Sequence, residues 1–227
     1  MPWYQGPTLM SLLENIDINR ADRQDAPRFQ VQWVIRPQTG ELHDYRGYAG
    51  QIQSGVYRKG DRVTVLPSGH QTVIKAIEVN QQEVEEAFSP QPAVIHLEDD
   101  IDVGRGCSIV PADCMPMVSQ DLEAILCITH AAEIGLGARF LLQHHSALVK
   151  CAVREISSKL NYDNMEMEPD PDKVQLNDMI KVRLRTATPL AFDPYTHNRH
   201  TGAFILIDER SGHTVAAGLL LAGVEAI

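Results

Sequence analysis

Basic residues are in short supply: 20 Lys and Arg stand against 30 Asp and Glu, a formal net charge of −10. A phosphate backbone is held by clustered cations, so this balance opposes a nucleic-acid-binding surface. Aromatic residues make up only 6% of the chain. A tyrosine followed by a basic residue occurs just at Tyr45-Arg46 and Tyr57-Arg58, fewer than a base-stacking platform uses. No apolar run is long enough to span a bilayer, and no secretory leader opens the chain. The four cysteines, Cys107, Cys114, Cys127 and Cys151, form no C-x-x-C pair and no metal-ligand spacing. They read as reduced thiols of a cytosolic protein.

Motifs for covalent or nucleotide chemistry are missing too. There is no G-x-x-x-x-G-K-[ST] loop and no N-K-x-D, so no P-loop nucleotide site can be built from these residues. Asp44-Tyr45-Arg46-Gly47 fits D-x-x-G, a four-residue pattern that recurs by chance. His144 and His145 are adjacent, and neighbouring strand residues point to opposite faces, so the pair cannot share one ion. They read as surface or turn histidines. No Ser/His/Asp or Cys/His arrangement can be assembled from spacing. The acid runs at 98–100 and 166–172 read as solvated loops.

What is present is strand patterning. At 227 residues with 44% hydrophobic content, the chain can build two domains of about 100 residues. The stretch 44–69, DYRGYAGQIQSGVYRKGDRVTVLPSG, holds two strand candidates at 48–54 and 62–66, in which Val63 and Val65 alternate with Arg62 and Thr64. Its glycines and the closing Pro67-Ser68-Gly69 suit a curled barrel, and the stretch is expected to form the central hairpin. Ahead of it, Phe29, Val31 and Trp33 alternate with glutamines as an opening strand. Further strands are expected at 71–79, 93–98 and 107–110, with an acidic loop at 81–92.

Residues 1–26 form a leader. Leu9, Leu12, Leu13 and Ile16 keep helical spacing, Pro7 suits a first helical position, and 19–26 is a polar linker. The abrupt start at MPWYQGPTLM suggests a piece of a longer protein. The first domain is placed at 27–111, a joint at 111–116, and a second domain of the same style at 117–223. There Ile180, Val182 and Leu184 alternate strictly with Lys181, Arg183 and Arg185. Residues 204–208 and 214–220 are expected to close it as a hairpin. In 193–202, DPYTHNRHTG, His197, Arg199 and His200 sit in a loop that could carry contacts. The expectation is an all-β protein: two consecutive small antiparallel β-barrels behind a short N-terminal helical leader.

The string at 44–69, with EEAF at 85–88 and LEDDIDVGRG at 97–106, resembles the large subunit of bacterial sulfate adenylyltransferase, a GTPase of the elongation factor Tu type. MPWYQGPTL resembles the segment after that family's GTPase domain, FQVQWVIRP the opening strand of its second domain, and PLAFDPYTHNRHTGAFILIDERSGHTVAAGLL the end of its third. The likeness is weaker from about 107 to 174. It implies translation-factor barrels two and three without the GTPase domain. By the same resemblance GTP and Mg belong to that missing domain and ATP to a small adenylyltransferase subunit, which makes adenylyl sulfate. No cofactor, metal or catalytic residue is assigned to the present residues.

The resulting expectation is a cytoplasmic coupling scaffold that contacts its own upstream GTPase domain and the small subunit. Closed barrels would be the rigid bodies, and 19–26 and 111–116 the mobile joints. Candidate interface residues are Trp3 and Tyr4 in the leader, Tyr45, Arg46 and Tyr48 in the central stretch, and Tyr195 and Arg199 in the late loop. Aromatic and Arg side chains are the usual anchors. Two rival readings are a tandem barrel that binds tRNA or another RNA, and a self-contained enzyme with a site between the barrels.

Overall fold

Period-two alternation becomes strand nearly wherever it occurs in the computed structural model, which describes residues 3–16, 25–37, 45–130, 134–169, 171 and 173–222. The first barrel is built from β1 (Arg28–Ile35), β2 (Gly47–Ser54), β3 (Val56–Arg58), β4 (Arg62–Leu66), β5 (His70–Val79), β6 (Gln82–Val84), β7 (Glu86–Phe88), β8 (Pro92–Leu97) and β9 (Ser108–Pro111). Six of these form the ring β4-β9-β1-β2-β8-β5, closed by pairing of β4 with β5. Closure leaves no free edge around the ring. Inside lie Phe29, Val31, Ile52, Val63, Ile74 and Ile95, all fully or almost fully buried. Each such side chain contributes about 1.5–3 kcal/mol by leaving water.

Three expectations change here. The strands at 48–54 and 62–66 do not pair as a hairpin: β2 lies between β1 and β8, and β4 between β9 and β5. The intervening β3 leaves the ring to form a separate ribbon with β7. Gly55, at φ +72°, makes the exit possible, since a Cβ there would lie 2.5 Å from Pro27 Cα. The expected acidic loop at 81–92 contains β6 and β7, entered through the left-handed residues Asn80 and Gln81. Trp33 does not continue the inward row of Phe29 and Val31. A bulge between Val31 and Trp33 shifts the register against β2 and leaves Trp33 67% exposed; bulges re-aim side chains in this way.

The second barrel comprises β10 (Met117–Ile128), β11 (Arg139–His144), β12 (Ala147–Asn161), β13 (Glu166–Pro169), β14 (Met179–Phe192), β15 (Ala203–Ile207) and β16 (Thr214–Leu220). The ring β11-β15-β16-β10-β14-β12 closes through β11–β12. Strands β15 and β16 pair as the expected hairpin. Leu122, Leu126, Phe140, Phe192 and Phe204 fill the interior. The acid run at 166–172 is not wholly loop: β13 pairs with the outer end of β12, from Asn161↔Glu166 to Ser158↔Pro169.

The leader forms α1 (Leu9–Asn15), with no buried residue. Thr8 caps it, its hydroxyl accepting from Ser11 N at 3.2 Å. Pro7 therefore precedes the cap rather than occupying the first helical position. The polar linker at 19–26 lies mostly outside the described residues, as does Asp44.

Candidate functional site

The densest polar network joins the two barrels. Arg28 opens β1, and Asp193 follows β14. The guanidinium donates from Nε to Asp193 Oδ2 and from Nη2 to Oδ1, both at 2.8 Å. Its Nη1 donates to the carbonyls of Pro27 and Cys114, each at 2.9 Å. This fork-to-fork geometry is the strong form of an Arg–carboxylate pair. Burial alone would lower the Arg28 pKa, but its bond to Asp193 and that carboxylate's charge overcome this, and the net shift is upward. Burial likewise pushes Asp193 up, yet the bonds from Arg28 and Thr201 and the Arg28 charge bring its carboxyl below the usual range.

The loop after β14 completes the clasp. Thr201 Oγ1 donates to Asp193 Oδ2 at 2.7 Å. Asn198 Nδ2 reaches the first barrel, donating to Ser54 Oγ at 2.9 Å, while its Oδ1 accepts from the amides of His200 and Thr201. Gly202 must lack a side chain, because a Cβ would sit 2.3 Å from Tyr195 Cα. His144 ends β11 with Nε2 at 2.7 Å from Thr201 O, which fixes Nε2 as the donor. Ser146 Oγ then donates to Val31 O of the first barrel at 2.8 Å.

Two expectations are corrected by this network. His144 is a buried residue, 1% exposed, not a surface histidine, and burial with His145 beside it lowers its pKa to about 3. The segment at 111–116 is tied rather than mobile. Ala112 N donates to Arg62 O at 3.0 Å, Cys114 N to Pro111 O at 3.2 Å, and Cys114 O is held by Arg28.

The interface candidates fall into three places. Trp3 and Tyr4 are exposed in the leader, with Tyr4 OH donating to Pro7 O at 2.6 Å. Tyr45 and Arg46 stand together on the first barrel. Tyr45 OH lies 3.2 Å from Glu78 Oε1, and its ring meets His96 edge-on at 4.9 Å. Burial, then the Glu78 charge, raises its pKa. His96 links this corner, with Nε2 2.8 Å from Glu78 and Nδ1 2.9 Å from Arg46 O. Arg46 pairs with Asp100 and donates to Ile101 O at 3.1 Å. Tyr48 is a correction: it is 1% exposed, its ring fills the core, and its hydroxyl donates to Ile101 O, so it offers no docking surface. Tyr195 is half-buried and Arg199 exposed, both in the clasp loop.

Sequence reasoning missed Arg28, Asp193, Asn198 and Thr201, which hold the joint. No local pattern marks them, since Arg28 and Asp193 are 165 positions apart. Burial pushes the Cys151 thiol up to about 12, which keeps it in the unreactive protonated form. Among the described residues no group of three His, Cys, Asp or Glu side chains could hold a metal. The arrangement fixes one barrel on the other.

Two closed six-stranded antiparallel barrels in tandem, clasped at their joint, define a barrel pair of the elongation factor Tu type. Crystal structures of Sup35, one complexed with GMPPNP and one with GDP, superpose on 99% of the chain with TM-scores of 0.81 and 0.80 at 19% identity, each over 54% of the Sup35 chain. A family model described as GTP-eEF1A C-terminal domain-like matches residues 121–221. Among curated proteins, the chain is similar to bacterial sequences named sulfate adenylyltransferase subunit 1 and bifunctional enzyme CysN/CysC. The bifunctional enzyme CysN/CysC of Mycobacterium tuberculosis is 39% identical over 99% of the chain and 37% of its own length. Sulfate adenylyltransferase subunit 1 of Bacteroides thetaiotaomicron is 36% identical over 99% of the chain and 47% of its own length. The chain thus spans less than half the length of these relatives.

Proposed function

We propose that this chain is the barrel region of a GTP-dependent sulfate adenylyltransferase subunit. In this reading it relays the nucleotide state of a GTPase domain elsewhere in the protein to the subunit that makes adenylyl sulfate from ATP and sulfate, in the cytoplasm. The observation that carries the reading is homology to sulfate adenylyltransferase subunit 1 along 99% of the chain. The clasp supports it mechanically. With Arg28, Asn198 and Ser146 bridging the joint, a push on one barrel turns both. The hinge of the relay then lies outside the barrel pair rather than at 111–116.

The sequence carries neither a P-loop phosphate motif nor the N-K-x-D guanine reader. The reading places GTP and Mg in other polypeptide and ATP on the companion subunit. The test is binding of the purified chain to the adenylyltransferase subunit from the same genome, together with sulfate-dependent ATP–pyrophosphate exchange. The expected result is a complex, with no exchange by the chain alone. Absence of a complex, or exchange without the companion, would overturn the reading.

A further inference from the structure

A cleft of about 230 Å³ opens where the two barrels meet, and both contribute to it. Leu66 and Pro67 at the end of β4 and Arg105 before β9 come from the first barrel, and Leu148 on β12 and Leu190 on β14 from the second. The volume is below the roughly 300–1,000 Å³ of small-molecule sites. It suits one or two anchoring side chains, the form that binding hot spots take.

Its rim carries unspent recognition groups. Leu148 is 56% exposed, which nothing in the barrel's own packing requires. Arg105 is exposed, and its Nη1 donates to a carbonyl, Gln32 O, at 3.0 Å rather than to a carboxylate. That places a cation available for pairing beside an aliphatic cleft, on a chain whose net charge is −10. Trp33, turned outward by the bulge, is the next residue along from Gln32. Buried Gln30 and His144 also line the cleft, and His144 belongs to the clasp, so an occupant would sit against the joint itself.

We propose that this cleft is the docking site for an extended segment of the companion adenylyltransferase subunit. That segment places an aliphatic side chain between Leu66 and Leu148 and a neighbouring carboxylate on Arg105. Charge complementarity selects this occupant: among the described lining residues Arg105 is the only Asp, Glu, Lys or Arg, so the cleft offers a cation with no acid beside it. The inference rests on the relay reading above and adds the surface through which the relay is felt.

The experiment is calorimetric titration of the chain with the recombinant companion subunit, comparing Arg105→Glu and Leu148→Asp with Lys75→Glu, an exposed charge change on β5. Each cleft variant is expected to weaken binding about thirtyfold or more, the scale of a hot spot, with Lys75→Glu within about twofold of the unsubstituted chain. All four proteins should melt alike, because the altered side chains are exposed. Unchanged binding by both cleft variants overturns the docking site and leaves the relay standing. An equal loss with Lys75→Glu also overturns it, because only general charge would be at work. Self-association of the chain that Leu148→Asp abolishes assigns the cleft to a second copy instead. No binding by the unsubstituted chain overturns the relay and the docking site together.

Discussion

Arg28 and Asp193 meet through two parallel hydrogen bonds of 2.8 Å at the joint of two barrels that otherwise fold on their own cores. Both partners are largely shielded from water, so removing one strands the other. Arg28→Ala is expected to cost about 3–5 kcal/mol in urea unfolding. The pair Arg28→Met with Asp193→Leu should recover most of that loss, since matched apolar groups restore what an orphaned charge forfeits. A double variant no more stable than the single one would show that the pair is irreplaceable.

Acid should loosen the clasp in two stages. His144 is held neutral down to about pH 3, whereas the free imidazole takes its proton near 6.5. Between those values only the unfolded chain binds the proton, so stability falls as pH drops from 6.5 toward 3, by an amount on the order of a few kcal/mol. Asp193 acts lower. Its folded pKa is depressed, so its contribution is present above the ordinary carboxylate range and is lost as pH falls through and below that range. His144→Gln keeps a donor for Thr201 O and removes that residue's share of the first stage, leaving the share of His145, whose pKa burial also lowers. Its denaturation midpoint should be flatter between pH 6.5 and 4 than that of the parent.

Gly202→Ala tests the backbone of the clasp loop. The new methyl would overlap Tyr195 Cα and N, at 2.3 and 2.5 Å, and backbone cannot move aside cheaply. A loss of about 2 kcal/mol or more is expected, with the Asn198 and Thr201 amides exchanging faster in deuterium. Slow exchange there, alongside a large loss of stability, would place the damage elsewhere.

The leader should contribute nothing to the barrels. No residue of α1 is buried, so Leu9→Lys with Leu13→Glu is expected to leave the melting temperature of the chain within about 1 °C, as for surface changes generally. A drop of several degrees would mean that the helix packs on the barrels in solution.

Much of the fold is legible in the sequence because alternation is a local property. Val63 and Val65, or Ile180, Val182 and Leu184, announce strands that need no distant partner to be recognised. Pairing order is a different matter. Nothing between 44 and 69 reveals that β3 leaves the ring and sends β4 to β9, or that a bulge turns Trp33 away from Phe29 and Val31. Tyr48 and His144 misled for a related reason: a polar atom on a side chain says nothing of whether a carbonyl such as Ile101 or Thr201 waits inside to satisfy it.

By itself the sequence determined that this chain makes two β-barrels behind a helical leader, and through 44–69 and 189–220 which relatives it resembles. The barrels follow from short-range periodicity and turn chemistry, and the resemblance from the residue strings themselves. Only the tertiary structure decided that the barrels are clasped by Arg28, Asp193, Asn198 and Ser146, and that Leu66, Arg105 and Leu148 frame one cleft. Bidentate geometry and shared burial arise between residues the chain keeps far apart until it has folded.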